Sequence, residues 1–235
     1  LQVWSAACAD RRAALLVGAG TNDTRTTIAR LEALANVPGV TGALTVVPYY
    51  VRPTEAAIVR HFHAVAERSP VPVAVYNIPY RTGRGLGAAA LLELAVTDNV
   101  AGLKQAVGAI DADTLRVLAH APPGFHVLAG DDAFIAPLVL MGGAGSITAS
   151  AHLATRQFAA LVAAARAGEV DNARDHAAAV LPLVEALFAE PSPAVLKGVL
   201  HATGRITSPS VRLPLGDASA QAVRAAASAL APHLV

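Results

Sequence analysis

The chain has 235 residues, a length that one α/β domain with a single hydrophobic core would use almost fully. Its 18 basic and 17 acidic residues leave a net charge of +1, which excludes the broad positive potential of a nucleic-acid or anionic-membrane binder. The single cysteine, Cys8, excludes an internal disulfide framework and favours a reducing, cytoplasmic setting. No apolar run reaches the roughly 20 residues that a membrane helix needs, so we expect no membrane segment.

Short apolar runs, often rich in β-branched residues, recur along the first 150 residues and are typical of buried strands. Segments with helical spacing of apolar residues lie between them, beginning at Thr27, Glu55 and Ala88. Strands that are apolar throughout need cover on both faces, and parallel strands joined by helices meet that condition. The alternation therefore predicts a parallel α/β architecture. The six predicted strands lie at 13–20, 42–50, 71–79, 100–106, 125–132 and 143–150.

After Ser150 the strand pattern stops and Ala-rich helical segments follow. We interpret residues 1–167 as a barrel and residues 168–235 as a C-terminal helical region. A closed barrel needs eight strands, so this interpretation places two further βα units before Leu1. An open doubly wound sheet is the alternative, and the pattern of strands and helices does not separate the two. The predicted C-terminal helices lie at 151–167, 171–189, 192–203 and 217–230.

Lysine is used very selectively in this sequence. The 18 basic residues comprise 16 arginines and only two lysines, Lys104 and Lys197. Lys104 ends an apolar strand that has no acidic residue, and burial without a counter-charge favours the neutral amine. A neutral amine can attack a carbonyl group, whereas arginine stays protonated. The alternative is a lysine that extends to solvent, which is how we interpret Lys197 on its helix.

All four tyrosines fall at the ends of two predicted strands, as Tyr49, Tyr50, Tyr76 and Tyr80. A phenol hydroxyl both donates and accepts a hydrogen bond, so Tyr76 is the first candidate to move protons beside an imine. Arg81 follows in the same loop, where a guanidinium can hold a carboxylate with two hydrogen bonds. The alternatives are ordinary strand aromatics and a plain surface arginine.

Two further motifs are better explained as a turn or a helix start than as a ligand site. The segment GAGTND at 18–23 satisfies neither the dinucleotide nor the Walker pattern, and we interpret it as a turn with Asp23 or Asn22 as a helix cap. The segment GDDA at 130–133 suits a helix start better than a metal site. The sequence therefore predicts no metal and no organic cofactor.

Five segments, in this order and spacing, together resemble the dihydrodipicolinate synthase and N-acetylneuraminate lyase family. The ending EPSPAVLKGVLHATG, followed by VRLPL, is similar to the C-terminal region of the synthase branch. The resemblance spans nearly the whole chain, and it implies an eight-stranded TIM barrel with its site at the carboxyl ends of the strands. The five segments are LTVVPYYVRP, YNIPYRTG, GLKQAVG, LAGDDA and GAGSITAS.

The resemblance also implies a role for each candidate residue. It places the Schiff-base lysine at Lys104, a proton-relaying tyrosine at Tyr76, and at Tyr50 a second relay tyrosine that the family lends across a dimer interface. It assigns Ile147 a backbone contact to pyruvate and Arg81 the carboxylate of the aldehyde substrate. We therefore expect a homo-oligomer, a dimer or tetramer, with small-molecule substrates.

The activity implied is a class I aldolase that condenses pyruvate with L-aspartate 4-semialdehyde to give 4-hydroxy-tetrahydrodipicolinate, on the route to lysine. Two departures keep alternatives open. The family's threonine loop is expected before Leu1, and Gln105 stands where the synthases usually carry an acidic residue. The alternatives are a related pyruvate aldolase or lyase acting on a sugar acid or hydroxy-oxo acid, and a non-catalytic 2-oxo-acid binding protein.

Overall fold

The computed structural model describes residues 1–233 and divides the chain into two compact units. The first unit comprises Leu1–Gly130 and Met141–Ala144. The second comprises Asp131–Leu140 and the chain from Gly145 onward. Within the described residues, no helix is both long enough and apolar enough to cross a membrane.

The first unit alternates strands and helices, as the sequence predicts. Its strands begin within a few residues of the predicted positions. They are β1 (Leu15–Gly18), β2 (Val40–Val46), β3 (Val73–Asn77), β4 (Val100–Gln105) and β5 (His126–Ala129). Its helices are α1 (Gln2–Arg11), α2 (Thr24–Glu32), α3 (Glu55–Arg68), α4 (Pro79–Thr82), α5 (Ala88–Ala95) and α6 (Ala112–His120).

Strands β1 to β5 are parallel, and each one pairs with the next strand along the chain. A doubly wound sheet reverses its strand order at a switch point, where its ligands bind. These five strands show no such reversal, which argues against the doubly wound alternative. The carboxyl ends of all five strands meet at one edge, so residues that end consecutive strands become neighbours.

Three helices of this unit, α2, α3 and α6, begin at side-chain caps. Asp23 caps α2 by accepting a hydrogen bond from the Thr26 amide at 2.7 Å, which confirms the predicted cap. Each fully buried leucine or valine stabilises the fold by about 1.5–3 kcal/mol. One core cluster, between α2, α3 and the sheet, consists of Ala19, Leu31, Leu34, Ala43, Val65 and Val73.

The second unit is helical apart from one short strand. Asp132 is buried, and its carboxylate accepts a hydrogen bond from the Ser150 amide at 2.8 Å, so the GDDA motif serves local structure here. The strand predicted at 143–150 is only two residues long, consistent with the cost of glycine in strands. The elements are α7 (Ile135–Leu140), β6 (Gly145–Ser146), α8 (Thr155–Arg166), α9 (Val170–Leu187), α10 (Ala194–Ala202) and α11 (Ala220–Leu230).

Candidate active site

Two of the candidate residues, Tyr76 and Lys104, meet at the carboxyl ends of β3 and β4. They are paired in register across the two strands, and both are half-buried. Residues paired in register point to the same face of a sheet. The Nζ atom of Lys104 accordingly lies 4.3 Å from the centroid of the Tyr76 ring, within the range of a cation–π contact. The structure thus brings an amine and a phenol together at one edge.

Gly130 borders this pair, and sequence reasoning missed its role. Its amide donates a hydrogen bond to the Gln105 carbonyl at 2.7 Å, so the chain after β5 runs close beside β4. A Cβ atom at this position would lie 2.8 Å from the Cβ of Ala106 and 3.0 Å from the Cγ of Lys104. Only glycine fits without displacing the lysine stem. The only signal in the sequence was a glycine near the end of the strand predicted at 125–132.

Gln105 lies on the other face of the sheet. Successive side chains of a strand alternate between faces, so Gln105 and its partner Asn77 point away from Lys104. Both side chains are buried, with 4% and 1% of their surface exposed. The residue that departs from the synthase pattern therefore belongs to the layer between the sheet and the helices.

Two further candidates, Tyr50 and Arg81, line one open cavity of about 520 Å³. The loop after β2 and helix α4 form its walls. The guanidinium carbon of Arg81 lies 5.9 Å from the centroid of the Tyr80 ring, which is also in the wall. The cavity thus combines cationic and phenolic groups suited to an anionic ligand. Its lining residues are Tyr49, Tyr50, Arg52, Tyr80, Arg81, Thr82 and Gly83.

The loop that carries Tyr50 is conformationally strained. Tyr50 has a φ of 70° and Arg52 a φ of 47°, values that side chains larger than glycine seldom adopt. The Val51 amide donates to the Tyr49 carbonyl at 2.8 Å, which closes a γ-turn of the rare, strained form around Tyr50. The turn leaves Tyr50 87% exposed. Such strain costs on the order of 1–3 kcal/mol and is concentrated at functional sites.

Ile147, the remaining candidate, belongs to the second unit. It directly follows β6 and is half-buried. The neighbouring Thr148 has a buried hydroxyl that makes no hydrogen bond within residues 1–233. The backbone role of Ile147 stays a prediction.

The first unit is thus an α/β structure whose parallel strands follow chain order, with a lysine beside a tyrosine at their carboxyl ends. Comparison with known families agrees with this class. Residues 3–232 match the dihydrodipicolinate synthetase family. The chain belongs to this family.

Individual relatives support the assignment. The 4-hydroxy-tetrahydrodipicolinate synthase of Moorella thermoacetica is 40% identical over 219 residues, which are 93% of this chain and 74% of that protein. The enzyme of the same name from Neisseria meningitidis is 40% identical over 205 residues, which are 87% and 69% of the two chains.

Solved structures give the same answer. The dihydrodipicolinate synthase of Thermotoga maritima superposes with a TM-score of 0.93 and 31% identity, over 98% of this chain and 79% of that one. The enzyme of Acinetobacter baumannii, solved in complex with pyruvate, gives a TM-score of 0.90 and 30% identity, over 95% and 77% of the two chains.

Proposed function

We propose that this protein is a pyruvate-dependent class I aldolase that condenses pyruvate with L-aspartate 4-semialdehyde to form 4-hydroxy-tetrahydrodipicolinate. The observation that carries the proposal is the contact between Lys104 and Tyr76, 4.3 Å from the lysine nitrogen to the ring centroid. The relatives named 4-hydroxy-tetrahydrodipicolinate synthase, at 40% identity, support the choice of reaction.

The reaction starts at the amine of Lys104. Its nitrogen attacks the ketone carbon of pyruvate, and Tyr76 supplies the proton with which the carbinolamine hydroxyl leaves as water. The resulting iminium draws electrons from the methyl group, which loses a proton to give an enamine. The enamine carbon attacks the aldehyde, whose oxygen takes up a proton. Cyclisation through the amino group of the second substrate then returns the free amine of Lys104.

The remaining candidates bind the substrates or take part in assembly. Arg81 holds the carboxylate of the aldehyde, since a guanidinium binds a carboxylate through two hydrogen bonds. Tyr50 reaches the site of a second copy, which its strained turn and 87% exposure support. The side chains of Val51 and Tyr80 beside it are 56% and 61% exposed, as expected of a surface that a second copy covers. Ile147 contacts pyruvate through its backbone.

The proposal includes a complete barrel and a separate C-terminal region. The strands of this chain serve as strands of an eight-stranded TIM barrel, with residues 1–167 in the barrel and residues 168–235 in a C-terminal helical region. The protein works as a cytoplasmic homo-oligomer without a metal or an organic cofactor.

The presence of only two lysines gives this proposal a direct test. Incubation with pyruvate and sodium borohydride should reduce the imine, and peptide mass spectrometry should place one added three-carbon acid on Lys104. The variant Lys104→Arg should give no adduct. The matched variant Lys197→Arg should give the full adduct, because Lys197 lies on helix α10 and already donates a hydrogen bond to the Ser210 carbonyl. An unmodified parent protein, or an adduct at Lys197, would refute the proposal.

A separate assay tests the second substrate. With pyruvate present, aspartate semialdehyde should be consumed faster than neutral sugar aldehydes, because only the former offers Arg81 a carboxylate. Faster turnover of a sugar aldehyde would instead support the alternative of a sugar-acid aldolase.

A further inference from the structure

Three polar side chains are buried on the face of the sheet that points away from Lys104. Asn77, Gln105 and Thr114 are 1%, 4% and 0% exposed. Asn77 directly follows Tyr76 in β3, Gln105 directly follows Lys104 in β4, and the two are themselves paired in register. Tyr76 and Lys104 are therefore each followed directly by a residue whose side-chain amide is buried.

The three side chains form a continuous hydrogen-bonded chain, which we call the amide network. The Asn77 amide nitrogen donates to the Gln105 side-chain oxygen at 3.0 Å. The Gln105 amide nitrogen donates to the Thr114 hydroxyl at 2.9 Å. The network thus links β3, β4 and α6 through neutral groups in an interior where hydrogen bonds are strong and unmade ones are costly.

Asn77 also holds the far end of the loop that carries Arg81. Its side-chain nitrogen donates to the Leu86 carbonyl at 3.3 Å, and its side-chain oxygen accepts from the Leu86 amide at 3.1 Å. The loop between these two residues contains α4. Its closure is tight, because a Cβ atom on Gly85 would lie 3.1 Å from the Cβ of Pro79 and 3.3 Å from the Asn77 oxygen.

We propose that the amide network sets the distance between Lys104 and Arg81, so that Asn77 and Gln105 are positioning residues for the aldehyde substrate. Asn77 holds the two ends of the Arg81 loop together through its hydrogen bonds to Leu86. Gln105 connects Asn77 to β4, the strand that carries Lys104. This inference rests on the proposed function, in which the imine forms at Lys104 and the aldehyde's carboxylate binds Arg81. An aldehyde must span a fixed distance between these two points, whereas imine formation with pyruvate alone does not involve Arg81.

Two substitutions of Gln105 separate hydrogen bonding from volume. Gln105→Met fills a similar space but makes neither bond of the network. Gln105→Glu keeps both contacts, because one carboxylate oxygen accepts from Asn77 and the other accepts from the Thr114 hydroxyl after that hydroxyl rotates. Because the two side chains have similar size, a difference in aldehyde KM between the variants would reflect the lost hydrogen bonds of the network.

The experiment compares three measurements on each variant: the rate of borohydride-trapped adduct formation with pyruvate alone, the KM for aspartate semialdehyde, and Tm. In Gln105→Met we expect the aldehyde KM to rise about 10-fold while adduct formation stays within about threefold of the parent, because misplacement acts on the second substrate. In Gln105→Glu we expect the aldehyde KM to stay within about threefold of the parent.

A destabilised variant outside the network provides the control. Leu31 belongs to α2 and is fully buried in the core cluster between α2, α3 and the sheet. Leu31→Val should lower Tm while leaving the aldehyde KM unchanged. If Gln105→Met does not fold, Gln105→Asn replaces it, because an amide one carbon shorter cannot reach both Asn77 and Thr114, and the aldehyde KM should rise likewise.

The possible results separate the two proposals. A parent protein that gives no adduct refutes the proposed function and this inference together. A parent that gives the adduct leaves the function standing, and the inference is then overturned by any of three results. These are an unchanged aldehyde KM in Gln105→Met or its replacement, an equal rise in Gln105→Glu, and an equal rise in Leu31→Val.

Discussion

The amino nitrogen of Lys104 lies over the ring of Tyr76, 4.3 Å from its centroid, because the two residues are paired across adjacent parallel strands. The face of an aromatic ring attracts a cation, and in the proposed reaction the neutral amine of Lys104 becomes cationic once the imine has formed. A Schiff-base reaction needs that charge in its iminium stage, in which the nitrogen draws electrons from the bound pyruvate. In the proposed reaction, one tyrosine therefore serves both as the proton donor and as the ring that stabilises the iminium.

The two contributions of Tyr76 can be separated by substitution. Tyr76→Phe keeps the ring and removes the hydroxyl, so we expect kcat to fall by at least about 100-fold, the usual contribution of a proton-transfer group. Borohydride should still trap the pyruvate adduct after long incubation. Tyr76→Leu removes the ring as well and should slow adduct formation further. A Phe variant with parental kcat would show that another group carries the proton.

Tyr50 offers a test of assembly as well as of catalysis. If its hydroxyl serves the site of a second copy, Tyr50→Phe and Lys104→Arg should each be nearly inactive alone. Co-expression of the two should restore roughly a quarter of the parent activity, because random pairing makes half of the dimers mixed and each mixed dimer holds one complete site. The measurement is turnover of the purified mixed protein, with oligomer mass from light scattering.

The complementation result has a clear contrary outcome. If Tyr50 acts within its own chain, a mixed dimer contains no complete site, and the mixture should be no more active than its components. A parent protein that runs as a monomer at assay concentration, and is fully active there, would contradict the role across an interface more directly.

The sequence predicted the features that depend on residue type and local pattern. The strands followed from apolar runs, and Lys104 and Tyr76 followed from being rare, reactive residues at strand ends. The amide network was not predictable, because Asn77 and Gln105 become partners only through the register of β3 on β4. The role of Gly130 depends in the same way on how closely the chain after β5 approaches β4. Features fixed by long-range register leave only weak local signals.

The strain at Tyr50 escaped prediction for a different reason. A tyrosine in a strand-end segment predicts extended backbone by its intrinsic preference. The structure instead gives it a φ of 70° in a tight turn. Local preference is overridden here by the surrounding loop, and such exceptions tend to occur where function demands them.

Arg81 should determine the affinity for the aldehyde and leave the first half of the reaction unchanged. Arg81→Lys keeps the positive charge but loses the planar fork that binds a carboxylate at two points. We expect the aldehyde KM to rise by about 10-fold or more, with pyruvate adduct formation unaffected. Steady-state kinetics with each substrate varied in turn would measure both effects. A variant that binds the aldehyde normally, or loses the pyruvate adduct, would contradict this role.

Stability should fall in mild acid because of one buried histidine. His61 on α3 is 6% exposed, and its Nδ1 atom lies 2.9 Å from the Thr24 hydroxyl oxygen. Its Nε2 atom is buried and has no hydrogen-bond partner in the described part of the chain. Burial lowers the pKa of His61 from 6.5 to about 4, and the nearby carboxylate of Asp23 only partly opposes this shift.

The direction of the effect follows from proton binding in the two states. Between pH 6.5 and about 4, the unfolded chain binds a proton at this histidine that the folded protein does not bind. The stabilisation is complete above pH 6.5 and is lost progressively down to about pH 4, by about 3 kcal/mol in total. Urea unfolding at a series of pH values should therefore show a steeper loss in the parent than in His61→Asn, which cannot take up the proton. The control variant His63→Asn, changed two residues away, should lose stability with falling pH as steeply as the parent does. If the parent and His61→Asn lose stability in parallel, His61 does not contribute.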